Sequence, residues 1–335
     1  MDINKLASVA QAMVADSKGL LAADESTGTI GKRFDTINVV SSADTRRDYR
    51  ELLFKAKDIE KFISGVILYD ETIRQSASDG TSLVDLMLNK NIIPGIKVDA
   101  GAKPLAGSQN ETVTEGLDGL AARVKEYVGL GAQFAKWRAV IKIGEDMPSG
   151  YAIHTNAHAL ARYAKICQEG GLVPIVEPEV LMDGDHDAET CQQVTEETLN
   201  AVFGEIYAQG VELEGMILKP NMVVSGSDCE RSADTYEIAD RTVATLMRCV
   251  PAAVPGIMFL SGGQSEEDAT LNLNTMNANN RNLPWKLSYS YGRALQASAL
   301  KAWMGIQDNV SSAQDELALR AKLNSEACQG NYSGE

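Results

Sequence analysis

Eight charged side chains occur in or directly after short apolar segments, where a buried strand would normally carry none. Lone buried charges are costly, so these lysines, arginines and carboxylates must pair with one another. Residues two apart in a strand point to the same face, so Lys136 and Arg138 share one face of their strand, and Glu177 and Glu179 share one face of theirs. A structural network of ion pairs would also satisfy them, but it offers no stability gain over an apolar core. The eight residues are Asp24, Lys97, Asp99, Lys136, Arg138, Glu177, Glu179 and Lys219.

Lys219 ends the apolar segment MILK and is the best candidate for a buried nucleophilic amine. Because only a neutral amine attacks a carbonyl, its pKa must fall from about 10.4 to near 7, which costs ~4 kcal/mol. Burial and a neighbouring ammonium, which Lys136 would supply, both lower an amine pKa. Glu177 would move protons to and from the nitrogen and the departing hydroxyl. The resulting iminium draws electrons from a nearby carbon–carbon bond, so this chemistry requires neither a metal nor another cofactor.

Three loops that follow apolar segments have the composition of phosphate-binding loops. Residues 261–263 (SGG) precede one predicted helix, and residues 290–293 (SYGR) open another. Glycine lets backbone N–H groups approach an anion, and a helix N-terminus favours negative charge. Residues 24–33 (DESTGTIGKR) add hydroxyls and two basic side chains, although a polar turn with a helix cap explains that segment equally well. Together the loops predict a substrate that is phosphorylated at both ends.

The elements that would position these residues alternate along the chain. Eight short apolar runs recur along the chain, and every run except the second is followed by a longer segment whose apolar residues recur at three and four, as in amphipathic helices. This alternation, without a dinucleotide-type glycine motif or a dividing linker, predicts a single (β/α)8 TIM barrel over residues 1–335. A helical extension is expected at the N-terminus and a mobile tail over roughly 326–335. The runs are LLAAD, GVILYD, GIKVD, AKWRAV, VPIVEPE, GMILKPN, GIMFLSG and KLSYSYG.

Composition excludes several classes of protein. The 335 residues include 31 Lys+Arg and 46 Asp+Glu, a net charge of −15 that argues against a nucleic-acid binder. No stretch approaches the ~18 apolar residues of a membrane span, and the N-terminus predicts an amphipathic helix instead of a signal peptide. Five cysteines without CxxC spacing favour free thiols in a cytoplasmic setting. His154 and His158 stand four apart, but Thr155 replaces the glutamate of the metalloprotease pattern, so no metal site is expected.

Long ordered motifs between about residues 5 and 305 resemble those of the class I, Schiff-base-forming fructose-1,6-bisphosphate aldolases. They include LAADESTGTIGKRF, FAKWRAVIKI, PIVEPEVLMDGDHD, MILKPNMV and FLSGGQSEEDATLNLN. The resemblance implies a cytoplasmic glycolytic lyase that is usually a homotetramer and acts on a phosphorylated sugar. It implies reversible cleavage of fructose 1,6-bisphosphate into dihydroxyacetone phosphate and glyceraldehyde 3-phosphate.

The same resemblance implies roles for individual residues. Lys219 matches the Schiff-base lysine, Glu177 the main proton carrier and Glu179 its partner. Asp24 matches the acid that orients the hydroxyl at the scissile bond, and Lys136 with Arg138 the electrostatic pair beside the lysine. The ketose-side phosphate would be held by Ser261, Gly262, Gly263, Ser290 and Arg293. Further contacts to substrate phosphate would come from Ser26, Thr29, Arg33 and Lys97.

The sequence departs from the family pattern in places and leaves alternatives open. Thr29 and Gly31 stand where Ser and Ala are common, and Tyr332 is followed by only three residues, which puts tail-assisted proton transfer in doubt. A second hypothesis is therefore a Schiff-base aldolase that acts on sedoheptulose 1,7-bisphosphate or fructose 1-phosphate. A metal-dependent aldolase and a non-catalytic scaffold are further alternatives. The metal-dependent aldolase would lose activity with EDTA, and the scaffold would have no need of Lys219 or Glu177.

Overall fold

The structure is a computed structural model that describes residues 1–280 and 282–334. Eight parallel strands form a closed barrel in the order β1-β2-β3-β6-β7-β8-β9-β10, and β10 pairs back to β1. Strands β4 (Ala102–Pro104) and β5 (Thr112–Thr114) form a separate antiparallel pair. The barrel strands are β1 Gly19–Ala23, β2 Ile63–Leu68, β3 Ile93–Lys97, β6 Phe134–Ile141, β7 Val173–Val180, β8 Ile217–Leu218, β9 Gly256–Phe259 and β10 Lys286–Tyr291.

Helices surround the barrel. Several begin at a side-chain cap that accepts a hydrogen bond from the first turn, such as Ser26 before α2, Asp187 before α8 and Ser265 before α10. The helices are α1 Ile3–Met13, α2 Thr27–Asp35, α3 Ala43–Lys55, α4 Asp70–Ile73, α5 Leu83–Leu88, α6 Leu120–Gly129, α7 Gly150–Glu169, α8 Ala188–Ala208, α9 Thr235–Cys249, α10 Glu266–Asn279, α11 Arg293–Trp303 and α12 Val310–Ala327. None of the described helices is long and apolar enough to cross a membrane.

The N-terminal helix α1 closes the amino-terminal end of the barrel. Its buried residues Leu6, Ala10 and Met13 join one apolar cluster with inward-facing strand residues such as Ile67 and Ile175. Packing is close at this end, because a side chain on Gly256 would collide with Val14. Burial of this apolar surface stabilises α1 against the barrel at roughly 25 cal/mol per Å². The predicted helical extension is therefore the floor of the barrel.

The predicted barrel is confirmed, and the structure adds elements that the periodicity did not reveal. No helix was predicted after the second apolar run, where two short helices, α4 and α5, complete that repeat. The helix predicted after the first run ends at Lys55, because Ala56 is extended with ψ of 134°. Helix α12 was also not predicted. It continues to Ala327, and beyond it the backbone N–H of Tyr332 donates to Asn274 at 2.9 Å. The mobility of residues 326–335 stays a prediction.

Candidate active site

Four of the predicted charged residues form one chain of ion pairs: two lie directly after β1 and β8, and two lie within β6 and β7. Lys136 Nζ donates to Asp24 Oδ2 at 3.0 Å and lies 2.9 Å from Glu177 Oε2. The other oxygen of Glu177, Oε1, lies 3.2 Å from Lys219 Nζ. The alternation of lysine and carboxylate compensates each buried charge, as residues at a barrel mouth must be compensated. The structure thus assembles Asp24, Lys136, Glu177 and Lys219 as the sequence predicted.

Lys219 has the environment that a nucleophilic amine needs. It is only 3% exposed, and its backbone N–H donates to Val176 O at 2.8 Å, which fixes the residue as a continuation of β8. Burial lowers the pKa of the Lys219 amine below its ordinary value, Glu177 opposes this, and the nearby Lys136 ammonium lowers it further. The net direction is downward, so the neutral, nucleophilic form of Lys219 is favoured relative to an ordinary lysine.

The partners of Lys219 are shifted toward their charged forms. Burial raises the pKa of Glu177, but the charges of Lys136, Lys219 and Arg138 outweigh burial and hold the pKa below its ordinary value. For Lys136, burial lowers the pKa, but Asp24 and Glu177 outweigh it and hold the pKa above its ordinary value. The cluster therefore combines an ammonium, two carboxylates and an amine whose proton is the most easily lost.

A second layer of ion pairs lies beside this cluster. Arg138 Nε donates to Glu179 Oε2, and the arginine side chain is 41% exposed whereas the glutamate side chain is 8% exposed. Lys97 Nζ donates to Asp99 Oδ1 at 2.5 Å, and Asp99 Oδ2 accepts the backbone N–H of Arg138 at 3.2 Å. The sequence marks Asp99 as one of the strand charges but gives it no role in the site. Its two neighbours show that it fixes Lys97 and the backbone of β6.

The loops after β9 and β10 have the geometry of an anion-binding site. Gly262 and Gly263 both have positive φ, 54° and 92°, a conformation that exposes backbone N–H groups and disfavours other residues. Ser290 Oγ is buried and has no hydrogen-bond partner among the described residues, so its hydroxyl is available to a ligand. A side chain on Gly263 would approach Arg293 Nη2 to 3.9 Å, which places that guanidinium beside the loop. Ser261 is buried next to them.

The loop after β1 contributes differently from the other two. Ser26 caps α2, and its hydroxyl lies 3.0 Å from Thr29 Oγ1, so both hydroxyls belong to the helix N-terminus. Arg33, one helical turn further on, would lie 3.6 Å from a side chain on Gly292, which places it beside the loop after β10. Its guanidinium donates to Glu25, a buried carboxylate that sequence reasoning did not assign to the site. Only charges within or at the end of an apolar run were candidates, and Glu25 lies one residue after Asp24, which ends the first run.

The three histidines lie away from these charges. His154 and His158 are on the exposed side of α7, where their Nδ1 atoms lie 3.7 and 3.0 Å from Glu205 on α8. His186 is buried in the loop after β7, and burial lowers its pKa. In the described part of the chain, no group of three or more His, Cys, Asp or Glu residues has the arrangement of a metal site.

A separate cavity of about 650 Å³ lies at the opposite, amino-terminal end of the barrel. It is lined by the end of α1, the segments that precede β9 and β10, and Cys328. None of the paired lysines or carboxylates described above lines it. The paired charges, their burial and the unpartnered hydroxyl of Ser290 make the carboxyl-terminal mouth, and not this cavity, the candidate functional site.

Comparisons with known proteins agree with this geometry. Residues 5–335 match the family model described as fructose-bisphosphate aldolase class-I. The chain is 57% identical over 335 residues, all of both chains, to a probable fructose-bisphosphate aldolase class 1 of Xanthomonas campestris pv. campestris. It is 54% identical over 328 residues to fructose-bisphosphate aldolase B of Gallus gallus, which covers 98% of this chain and 90% of that one.

The fold is also similar to a solved structure. That structure is fructose-bisphosphate aldolase from Plasmodium falciparum, in a ternary complex with TRAP and a small-molecule inhibitor. The TM-score is 0.98 at 51% sequence identity, over 99% of this chain and 96% of that chain. The agreement extends over the whole barrel and its floor.

Proposed function

Because the chain belongs to the class I fructose-bisphosphate aldolase family, we propose that Lys219 is the amine that forms the Schiff base in this enzyme. The protein is a lyase that reversibly cleaves fructose 1,6-bisphosphate into dihydroxyacetone phosphate and glyceraldehyde 3-phosphate. The single observation that carries the assignment is the buried amine of Lys219, 3.2 Å from Glu177, with a lowered pKa. No comparison favours the alternative ketose phosphates.

In the proposed mechanism, the neutral amine of Lys219 attacks the ketone carbon and water leaves, which forms an iminium. Glu177 accepts a proton from the nitrogen and returns one to the departing hydroxyl, because its carboxylate is within reach of the same amine. The iminium then accepts the electron pair of the bond between the α and β carbons. Glu177, again a carboxylate, accepts the proton of the hydroxyl on the β carbon, and that carbon departs as the aldehyde. Protonation and hydrolysis of the remaining enamine release the second fragment and restore the amine.

The neighbouring charges hold this arrangement in place. Lys136 keeps its ammonium between Asp24 and Glu177, so it supports both carboxylates and disfavours a charge on Lys219. Asp24 is positioned to orient the hydroxyl whose proton is lost as the bond breaks. Glu179 and Arg138 form the next pair outward, where Glu179 assists proton transfer and Arg138 contributes positive charge to the mouth.

The phosphate groups would bind at the loops on the same face. Backbone N–H groups of Gly262 and Gly263, the hydroxyls of Ser261 and Ser290 and the Arg293 guanidinium form the cradle for the ketose-side phosphate. The remaining contacts to phosphate would come from Ser26, Thr29, Arg33 and Lys97. Positive charge at this mouth offsets the net charge of −15, which would otherwise repel a phosphorylated substrate.

The location is proposed from a relative and the assembly from the family resemblance. We expect a cytoplasmic protein, since one relative that is 56% identical is named a cytosolic aldolase of Arabidopsis thaliana, and a homotetramer, which is the usual assembly that the resemblance implies. We also expect one barrel domain with a mobile tail over roughly residues 326–335. Mass photometry of the purified chain would show about four times the 36.0 kDa of one chain, and limited proteolysis would remove only the tail. A stable monomer would contradict the first expectation.

Borohydride reduction in the presence of dihydroxyacetone phosphate tests the central assignment. We expect a covalent adduct on the peptide that contains Lys219, and no adduct in Lys219→Arg. Lys97→Arg is the matched control, because this lysine is also at the mouth but is paired with Asp99. An adduct on another lysine, or an unmodified Lys219 in a turning-over enzyme, would refute the assignment. Cleavage activity that survives EDTA would separate this enzyme from a metal-dependent aldolase.

A further inference from the structure

Glu25 is a buried carboxylate shared by two arginines at the edge of the active site. It follows Asp24 directly and is 7% exposed. Its Oε1 accepts from Arg33 and from Gln296 Nε2, the latter at 3.1 Å, and its Oε2 lies 2.7 Å from Arg50 Nη2. One carboxylate therefore faces two guanidinium groups, one more positive charge than it can neutralise.

The two arginines differ in how they face the mouth. The side chain of Arg50 is 3% exposed, and its Nε donates to Ala23 O at 2.9 Å. The Arg33 side chain is 22% exposed and lies beside Gly292, in the loop that also carries Ser290 and Arg293. Arg50 is therefore fixed inside the protein, whereas Arg33 is at the rim, where an incoming phosphate would be held.

Arg50 also has a donor in reserve. Its Nη1 is buried and has no hydrogen-bond partner among the described residues, although the other two nitrogens of the guanidinium are bonded. A buried unpaired donor is unfavourable, so this nitrogen favours any nearby acceptor that becomes available. The nearest carboxylate is Glu25, whose Oε1 is occupied by Arg33 in this structure.

We propose that Arg33 exchanges Glu25 for the substrate phosphate, and that Arg50 then takes over Glu25 by adding a bond from Nη1. Glu25 and Arg50 are positioning residues, since neither touches the reacting atoms. The exchange rests on the proposed function, because it assumes that a phosphate binds at the loops after β9 and β10. It explains why a buried carboxylate carries two arginines: the spare guanidinium keeps Glu25 compensated after Arg33 leaves it.

Under this proposal Glu25 competes with phosphate for Arg33. This competition determines whether removal of the Glu25 charge lowers or raises the Ki for phosphate. In Glu25→Gln the competing negative charge is lost, so inorganic phosphate should inhibit cleavage of fructose 1,6-bisphosphate with a Ki about threefold to tenfold lower than that of the unmodified chain. If Glu25 merely held Arg33 in a binding orientation, the same substitution would raise the Ki. An unchanged or raised Ki would therefore overturn the exchange.

Two further variants keep the result interpretable. Arg50→Lys retains the charge but lacks the reserve nitrogen, so it should raise the Ki for phosphate about threefold or more, and this effect should vanish in the Glu25→Gln background. An equal effect of Arg50→Lys in both backgrounds would overturn the exchange. If Glu25→Gln folds poorly, Arg50→Lys alone decides the question, because an unchanged or lowered Ki in that variant would also overturn the exchange. Arg33→Ala tests the underlying assumption separately: an unchanged Ki in that variant would mean that the proposed phosphate contact of Arg33 fails, whatever Glu25 does.

Discussion

Replacing Glu177 with glutamine separates its two roles, because the amide keeps the shape of the side chain but cannot titrate. The carboxylate lies 3.2 Å from Lys219 Nζ, where it stabilises the protonated amine. The same carboxylate is the proposed proton carrier. We therefore expect Glu177→Gln to lower the pKa of Lys219, which makes the amine easier to deprotonate, and at the same time to slow turnover.

The size of both effects can be bounded. The Glu177 carboxylate and the protonated Lys219 amine are 3.2 Å apart. With an effective dielectric constant of about 20, Coulomb's law gives an attraction of about 5 kcal/mol between them. Removal of an opposite charge at such a distance typically lowers an amine pKa by about 1–3. Loss of a general acid–base group slows its proton transfers by roughly 10²–10⁴-fold. Substrate affinity should change little, because the phosphate groups supply most of the binding.

The assay measures how the acylation of Lys219 by a small amine-reactive acylating reagent depends on pH, with peptide mapping to identify the labelled lysine. In Glu177→Gln the midpoint of Lys219 labelling should fall by about one to three pH units relative to the unmodified chain. Glu179→Gln is the matched control: Glu179 pairs with Arg138, so the midpoint should not move. A midpoint that stays or rises, or a near-normal turnover in Glu177→Gln, would refute this account of the pair.

Other substitutions and conditions test the remaining parts of the site. Lys136→Met leaves two buried carboxylates without their shared cation and should lower the free energy of unfolding by about 3–5 kcal/mol, measured with denaturant, with partial recovery in Asp24→Asn/Lys136→Met. Ser290→Ala removes the orphan hydroxyl and should weaken inhibition by inorganic phosphate about tenfold with little change in Tm. For Asp24, burial raises the pKa, but Lys136 outweighs it and holds the folded-state pKa below its ordinary value. The stabilisation by Asp24 should therefore be full above about pH 4 and lost as pH falls toward the folded pKa, and Asp24→Asn should flatten that acid limb. The KM for fructose 1,6-bisphosphate should rise with ionic strength, since salt screens the positive charges at the mouth. A KM independent of salt would show that these charges do not attract the substrate.

The barrel and the central cluster were predictable because both leave local marks in the sequence. Lys136, Glu177 and Lys219 each interrupt or end an apolar run, and parallel strands that close into a barrel must bring such interruptions to one rim. The barrel topology alone is therefore enough to predict that these residues lie together. The pairing within the cluster followed from the cost of an uncompensated buried charge.

Residues whose partners are distant in the chain, such as Glu25, have no local sequence pattern that predicts their role. Glu25 precedes a serine cap and has the local pattern of an exposed polar turn, yet Arg50 and Gln296 bury it. Its role depends on helices that are 25 and 271 residues away in the chain. The hairpin of β4 and β5 was missed for a similar reason, because its three-residue strands are too short for a period to be read.

Helix α1 and the packed barrel interior separate the paired charges from the amino-terminal end of the barrel. Since Leu6, Ala10 and Met13 fill the far end, a reactant enters and a product departs through the same mouth. In the proposed mechanism, the fragment joined to Lys219 stays tethered until hydrolysis, whereas the aldehyde is free as soon as the bond breaks. With a single route in and out, this tether sets the order: in the cleavage direction the aldehyde leaves first, and in synthesis the ketone must arrive before its partner.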